Sequence, residues 1–355
     1  TRIEFILDLI CSSAINHDPS IIEKIGADRY STFRFFYQKF DSSNNYEFIK
    51  SEWEVVTNYF NTFIEWYNNP TWYHYIGFLI YCNESIVNIY NFTKFDPETL
   101  KPILTKEEIT RTLKKRISGY FKKIKWKIDS EGEMFLDLTY GNDKVKPLLL
   151  LFNLEYIVKH CEAKTLIYKF PFKLFKEIKS ENGKRVFWDV EHIDSFTTNH
   201  LNDRNSKEEW LTTAYNDIKD EIQDQEFKVQ IEEYIKNKNS AEDFYKLQSK
   251  IIELVGENEN DEDMKNNIGN LALLDAGTNR GYGNALFPTK RRKIIEKDKS
   301  GIFIPICTKN VFLKYFDPTG TSRTKWSIVD IKNYRDEVTK TLEEFLPTKP
   351  QTDNE

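Results

Sequence analysis

Five histidines are few enough to weigh one at a time, and one of them directly follows an acid. The pair is Glu191-His192, at the end of a segment from Lys184 to Ile193 that alternates like a strand. Val186, Trp188, Val190 and His192 fall on one face, and Phe187, Asp189, Glu191 and Ile193 on the other. Histidine exchanges a proton near neutral pH. A strand end beside a loop holds such a group rigidly, yet within reach of a substrate. Alone, a Glu-His pair does not separate a reactive histidine from a structural one, and His17, His74 and His160 read as structural. The downstream order is more telling. A short second strand is led by Asn270, Asn279 follows nine residues later, and a basic run holds Lys290, Arg291, Arg292, Lys293, Lys297 and Lys299. Asp194 and His200 also lie close to the pair in sequence.

These residues need a strand, a second strand and a helix to hold them. The spacing predicts strands over 184–193 and 268–274, with the glycine-bearing loop Asp275–Asn284 between the second strand and the basic segment. That loop has no GK[ST] and the wrong flanks, so it matches neither a Walker A loop nor a Rossmann fingerprint. Between the strands, Trp210, Ala214, Ile218 and Ile222 sit four apart, and Phe244, Leu247, Ile251 and Leu254 repeat on a helical face with Ser240 as a candidate N-cap. The acidic run Glu257–Asp263 lacks EF-hand spacing and reads as a solvated loop. A last helix is expected over 327–345, with Ser327 and Asp330 at its start, and a loose polar tail over 347–355.

The first half reads as helical. Trp53, Val56, Phe60, Phe63, Ile64 and Tyr67 recur at steps of three and four and predict an inward stripe on a helix over Glu52–Tyr67, ended by Asn68-Asn69-Pro70. A second helix is expected over Trp72–Tyr90, and a buried one over Leu148–Ile157. These aromatic stripes read as packing rather than a ligand box. Arg111–Lys127 is basic without an acid. It reads as a solvated helix face, with a non-specific phosphate-binding surface as the alternative.

The whole composition sets the frame. The 355 residues suit two domains, or one domain with a large insertion. Aromatics at 15% allow a real core, which excludes whole-chain disorder. A net charge of −5 excludes a globally basic nucleic-acid coat but not local patches. Cys11, Cys82, Cys161 and Cys307 are far apart and form no CxxC, which argues against a disulfide scaffold or a cysteine zinc site and for a reducing, cytoplasmic setting. The strongest apolar runs, Gly77–Cys82 and Leu148–Phe152, are too short to cross a bilayer. A start at Thr1-Arg2, without Met, suggests a piece of something longer.

The ordered set resembles the HNH (His-Me finger, ββα-metal) nuclease superfamily, and more closely the C-terminal HNH domain of GmrSD-type restriction and DNA-defence proteins. The carrying segments are Trp188–Ile193, Gly269–Leu274, Asn279 with Asn284, Phe287 and Lys290, and Trp326 with Ile331 and Arg335, roughly the second half of the chain. The helical first half also resembles the region preceding that domain. The resemblance implies an α+β fold, mainly α with a small β component: a helical domain over 1–165, then an HNH nuclease domain over 166–346. Its ββα-metal core would come from 184–194 and 268–298, with a helical insertion over about 199–267. It further implies metal-dependent hydrolysis of phosphodiester bonds in DNA, including modified phage DNA, with Mg2+ or Mn2+ as cofactor. His192 would be the general base, Glu191 and Asn279 the metal ligands, and Asn270 a residue orienting the loop that carries His192; Asp194 and His200 are the alternative ligands, with Glu191 preferred because it immediately precedes the histidine. Lys290, with Arg280 and Arg291, would bind phosphate, a solvated helix being the competing reading.

The chemistry asks for such a set. Phosphodiester hydrolysis needs a deprotonated water, stabilisation of a charged transition state and help for the leaving oxygen. Magnesium keeps several waters, so one carboxylate and one amide oxygen suffice from the protein. Relatives of this type carry a ParB/Srx-like NTPase domain, which here would lie upstream in the same chain or in a separate subunit. Two departures stand out: Ser195 occupies a position that is proline in many relatives, and 78 positions separate His192 from Asn270, far more than a compact ββα motif contains. The competing classes are a catalytically silent DNA-binding or protein-docking module, and an RNA-cleaving toxin.

Overall fold

The computed structural model describes residues 2–42, 45–94, 103, 105–129, 131–163, 168–176, 178–179, 185–186, 188–194, 204–237, 241–255, 262–275, 285–316 and 324–350. It is mainly helical, with a small antiparallel β component. The chain forms two compact units, Thr1–Gly119 with His160–Lys169, and Tyr120–Lys159 with Phe170–Glu355. Tyr120–Lys159 therefore groups with the second unit, whereas the sequence pattern put it in the first. The physical reason lies in its helix: Leu148 to Phe152, Leu154, Ile157 and Val158 are buried on every face. A helix that is apolar all round must sit inside a core.

The first unit holds α1 (Arg2–His17), α2 (Ile21–Ile25), α3 (Ser31–Ser42), α4 (Tyr46–Asn68), α5 (Pro70–Tyr81), α6 (Ile86–Lys94) and most of α7 (Lys106–Phe121). Asn69 joins α4 to α5. Its side chain accepts from the Trp72 N–H at 3.1 Å, and Pro70 sits in the first turn, where its missing donor is no loss. The single helix expected over Trp72–Tyr90 is two. The break includes Asn83 in the left-handed region, φ 65°, a conformation asparagine tolerates better than most residues, and the Ser85 hydroxyl receives the Asn88 N–H at the new start.

On α4 the buried residues are Val56, Tyr59, Thr62 and Trp66, while Trp53, Phe60, Ile64 and Tyr67 face solvent. The expected inward stripe is thus buried only in part. Apolar residues cover more than one face of this helix, and the core takes the Tyr59 side. There Ile6 and Ile10 pack with Val56 and Tyr59, and the Tyr59 and Tyr90 rings stack at 3.9 Å.

The second unit holds the hairpin β1 (Trp126–Ile128) with β2 (Met134–Leu136), most of α8 (Val145–Glu162), α9 (Phe172–Lys176), and β3 (Ile178–Lys179) paired with β4 (Arg185–Val186). β5 (Trp188–His192) pairs antiparallel with β6 (Leu271–Asp275). Between these two strands run α10 (Arg204–Ile218), α11 (Gln225–Asn237), α12 (Ala241–Val255) and α13 (Glu262–Lys265). The expected insertion is therefore helical where it is described, and it has its own core around Leu211, Ile218, Phe227, Ile231, Phe244 and Ile251. Ser240 lies outside the described residues. After β6 come α14 (Phe287–Lys299), α15 (Ile306–Phe312) and α16 (Ile328–Thr341).

The start of α16 is a capping box: the Ser327 hydroxyl accepts from the Asp330 N–H, and the Asp330 carboxylate accepts from the Ser327 N–H at 2.7 Å. Lys314 adds a buried ion pair to Asp330 at 2.7 Å. One turn on, α16 lies against the 3-10 turn Ile268–Asn270 so closely that a Cβ on Gly269 would sit 2.2 Å from the Ile331 carbonyl oxygen. Only the missing side chain allows this approach, and the obstacle is backbone. Gly269→Ala should destabilise the fold by about 1–3 kcal/mol, the usual range for overpacking, read as a lower denaturant midpoint.

Buried His74 gives a second expectation. Desolvation inside α5 holds its pKa at about 4, although its Nδ1 lies 2.6 Å from the Pro70 carbonyl oxygen. The folded pKa is below the unfolded value of about 6.5, so the unfolded chain binds the proton first as pH falls. This contribution to stability is complete above about pH 6.5 and is lost toward pH 4, by about 3 kcal/mol at the low end. Denaturation at pH 7 and pH 4 should show the parent losing that much more than His74→Gln.

Candidate active site

β5 and β6 assemble the site from two distant stretches. The register sets His192 opposite Leu271, Glu191 opposite Ala272 and Trp188 opposite Asp275. Leu271 to Leu274 are buried on both faces, and Trp188 and Val190 bury the inner side of β5. Strand alternation leaves Asp189 exposed and Glu191 half-buried on the other side. Beyond His192 the strand leaves the ladder, and Ile193 N–H donates to the Asn270 carbonyl at 2.8 Å.

Asn270, wholly buried, holds the turn that follows. Its Oδ1 accepts from the Asp194 N–H at 2.9 Å, and its Nδ2 donates to the Asp194 carbonyl at 2.9 Å and the Lys265 carbonyl at 2.8 Å. This side chain cannot reach a substrate. It can fix where the backbone goes after His192. Asp194 itself is 4% exposed, so its carboxylate is an interior group rather than an open ligand.

The His192 ring is held from two sides. Its Nε2 lies 3.0 Å from Asn266 Oδ1, and its face lies against Tyr140, with ring centroids 4.5 Å apart and planes at 33°. An amide oxygen only accepts, so Nε2 carries the proton and the lone pair is on Nδ1. Burial lowers the His192 pKa and the nearby Lys290 charge lowers it further, against the Asn266 hydrogen bond, which raises it. The imidazole is thus neutral at pH 7, the state a proton acceptor needs.

Tyr140 and Asn266 have no counterpart in the sequence-based site. The backbone around Thr139 bridges to Asn267, Tyr140 N–H donates to the Asn266 carbonyl at 2.8 Å, and Ile268 N–H donates to the Leu138 carbonyl at 3.1 Å. Asn266 therefore holds Tyr140 by its backbone and His192 by its side chain. The Tyr140 hydroxyl has a raised pKa, first from burial and then from the Glu191 and Asp189 carboxylates, which places those acids near the ring that covers His192. Nothing in the spacing marks Tyr140, 52 positions before His192. The doublet Asn266-Asn267, just ahead of the second strand, is the one signal that was there to read.

The basic helix α14 is largely spoken for. Lys290, expected as a phosphate ligand, is 3% exposed, and its ammonium donates to the His192 carbonyl at 2.6 Å. It braces β5 from beneath instead of offering an open charge. Arg292 pairs with Asp217 of α10, whose other oxygen accepts from Thr289 at 2.7 Å. Lys297 pairs with Asp275 at the end of β6 at 3.1 Å. Arg291 is half-buried. Asn279 and Arg280, the expected second metal ligand and an expected phosphate contact, lie outside the described residues, as do Ser195 and His200.

Among the described residues no group of three or more His, Cys, Asp or Glu side chains is arranged to hold a metal ion. The local donor set is nevertheless of the right kind for a hard cation that keeps most of its water: Glu191, with Asp189 two residues back on the same strand face, supplies carboxylate oxygen and no thiolate. No disulfide joins the four cysteines. No described helix is long and apolar enough to cross a membrane. Comparison with protein-family models, curated proteins and solved structures found no match to the chain.

Asn270→Ala removes three hydrogen bonds and leaves the Asp194 and Lys265 backbone groups unsatisfied in the interior. It should cost about 2–3 kcal/mol or more, since each stranded buried group costs about 1–3 kcal/mol. Urea unfolding of parent and variant measures the difference; an unchanged midpoint would show that the clamp is dispensable.

Proposed function

We propose that the chain is a metal-dependent DNA endonuclease of the HNH type, the nuclease part of a prokaryotic restriction or anti-phage defence protein. One arrangement supports this reading above the others. A Glu-His strand pairs with a second strand, the Asn270 amide at the head of that second strand clamps the turn after the histidine, and Lys290 of the helix that follows braces the histidine's backbone.

In this reading Nδ1 of His192 takes the proton from the attacking water, with Nε2–H held by Asn266 so that the lone pair keeps its direction. Tyr140 shields one ring face from solvent, and Lys290 helps keep the imidazole neutral. Glu191, with Asn279, would hold Mg2+ or Mn2+. Such an ion, when bound, supplies positive charge to the phosphoryl oxygens and the leaving 3′ oxygen. An associated NTPase domain, in the same chain or another, would control access to DNA.

The test is nicking of supercoiled plasmid with Mg2+ and with EDTA, beside an RNA of similar length. The parent should cut DNA only with the metal, and His192→Ala should slow cutting by roughly 10²–10⁴-fold, the usual worth of a general base, while keeping the parent's circular dichroism. Metal-independent cutting, an equally active His192→Ala variant, or cleavage of RNA alone would overturn the assignment.

A further inference from the structure

The exposed side of α4 is the feature least like a solvated surface. Tyr46, Ile49, Trp53, Phe60, Ile64 and Tyr67 are each at least 43% exposed. At 3.6 residues per turn these six fall within an arc of about 60° and run about 32 Å along the helix. The four aromatics are seven residues apart, the repeat of a helix that packs lengthwise on another helix. The Tyr67 ring also carries the Lys169 ammonium at 3.3 Å from its centre. Monomeric proteins seldom leave a continuous apolar stripe of this length uncovered.

The order of these residues identifies what fits it. Read outward from the point between Val56 and Thr57, the stripe is Trp53, Ile49, Tyr46 one way and Phe60, Ile64, Tyr67 the other, at matching distances. Such a palindrome is the pattern that an antiparallel two-fold interface requires, since there each residue meets the residue equally far on the other side of the axis. We infer that α4 docks against α4 of a second copy of this chain, antiparallel, with Trp53 facing the partner's Phe60, Ile49 the partner's Ile64, and Tyr46 the partner's Tyr67.

Glu47, Lys50 and Glu65 lie along one flank of the stripe, and in this register Glu47 and Lys50 both come level with the partner's Glu65, one repelling it and the other attracting it, so charge does not oppose the pairing; area favours it. Buried aromatics contribute about 150–250 Å² each. Half-exposed as they are here, the six side chains offer roughly 600 Å² per copy, near the ~800 Å² that each partner gives to a standard interface. The interface lies wholly within the first unit and stands apart from the nuclease reading.

Sedimentation of the full chain decides the matter. The parent should be a dimer at micromolar concentration. Trp53→Lys, at a solvent-facing position that leaves the fold intact by circular dichroism, should raise the dissociation constant at least ~30-fold, as loss of a central hot spot does. Trp53→Lys combined with Phe60→Glu should recover the dimer, because the register sets position 53 of each copy against position 60 of the other. A parent that stays monomeric at roughly 100 μM, above the range of interfaces this size, would overturn the proposal and leave the stripe to a different protein. A dimer indifferent to Trp53→Lys, or one weakened further in the double variant, would overturn it too.

Discussion

The Asn270 amide is the constraint on which the second unit turns. It ties Asp194, two residues past the Glu-His strand, to the start of the other strand through a donor and an acceptor on the same side chain. Hydrophobic burial already opposes a slip by one residue, which would turn Trp188 and Val190 outward, but it is not directional along the strand. A one-residue slip would send His192 to the face now held by Glu191. The amide bonds, 2.9 Å each way to a single residue's N–H and carbonyl, admit one register. The close approach of α16 over Gly269 then seals that turn from outside, so the clamp works in a dry environment where its bonds are strongest.

Charge is used inside this unit more than on it. Lys290, Asp217, Asp275 and Asp330 are largely buried, and each is engaged: Lys290 with a backbone carbonyl, Asp217 with Thr289 and Arg292, Asp275 with Lys297, Asp330 with Lys314 and the helix start. Removing a partner from such a group costs far more than the pair contributes. The pairs therefore act as registers for α14 and α16 against the strands. Lys290 has a second effect, because its positive charge near His192 disfavours a second positive charge on the ring.

Much of this was legible because it rests on local patterning. The alternation in Trp188–His192, the capping box at Ser327 and Asp330, and the apolar run in α8 each depend on neighbours in sequence. The pairing of β5 with β6 was inferred from residue types in order, not from periodicity. What escaped the sequence depends on tertiary geometry. Tyr140 reaches His192 only because an isolated bridge at Thr139 meets Asn267. The basic composition of α14 says how many charges it has, and not that Lys290 points inward while Arg292 pairs with α10. On α4, periodicity identified the helix, yet the choice of which apolar face to bury was made by α1 and α6, which the helix's own sequence does not contain. Asn279 and Arg280 fall outside the described residues, so that part of the expected site rests on sequence alone.

The insertion between the strands bears on how stable the site can be. Closing a flexible loop of its length would cost on the order of 4 kcal/mol, from about (3/2)RT ln n, a large share of a domain's whole stability. A five-residue strand pair cannot readily offset that. The insertion is instead built on its own apolar core, with Ile231, Phe244 and Ile251 buried and Leu286, at the entry to α14, packed into the same cluster. The described helices α10 to α13 thus hold much of the chain between the strands through their own packing. The Asp217 contacts to Thr289 and Arg292 then fasten the insertion to α14, the helix that carries Lys290. The insertion is thus joined to His192 by a chain of direct contacts, Asp217 to α14 and Lys290 of α14 to the His192 carbonyl, so packing in its core and the position of β5 share one helix.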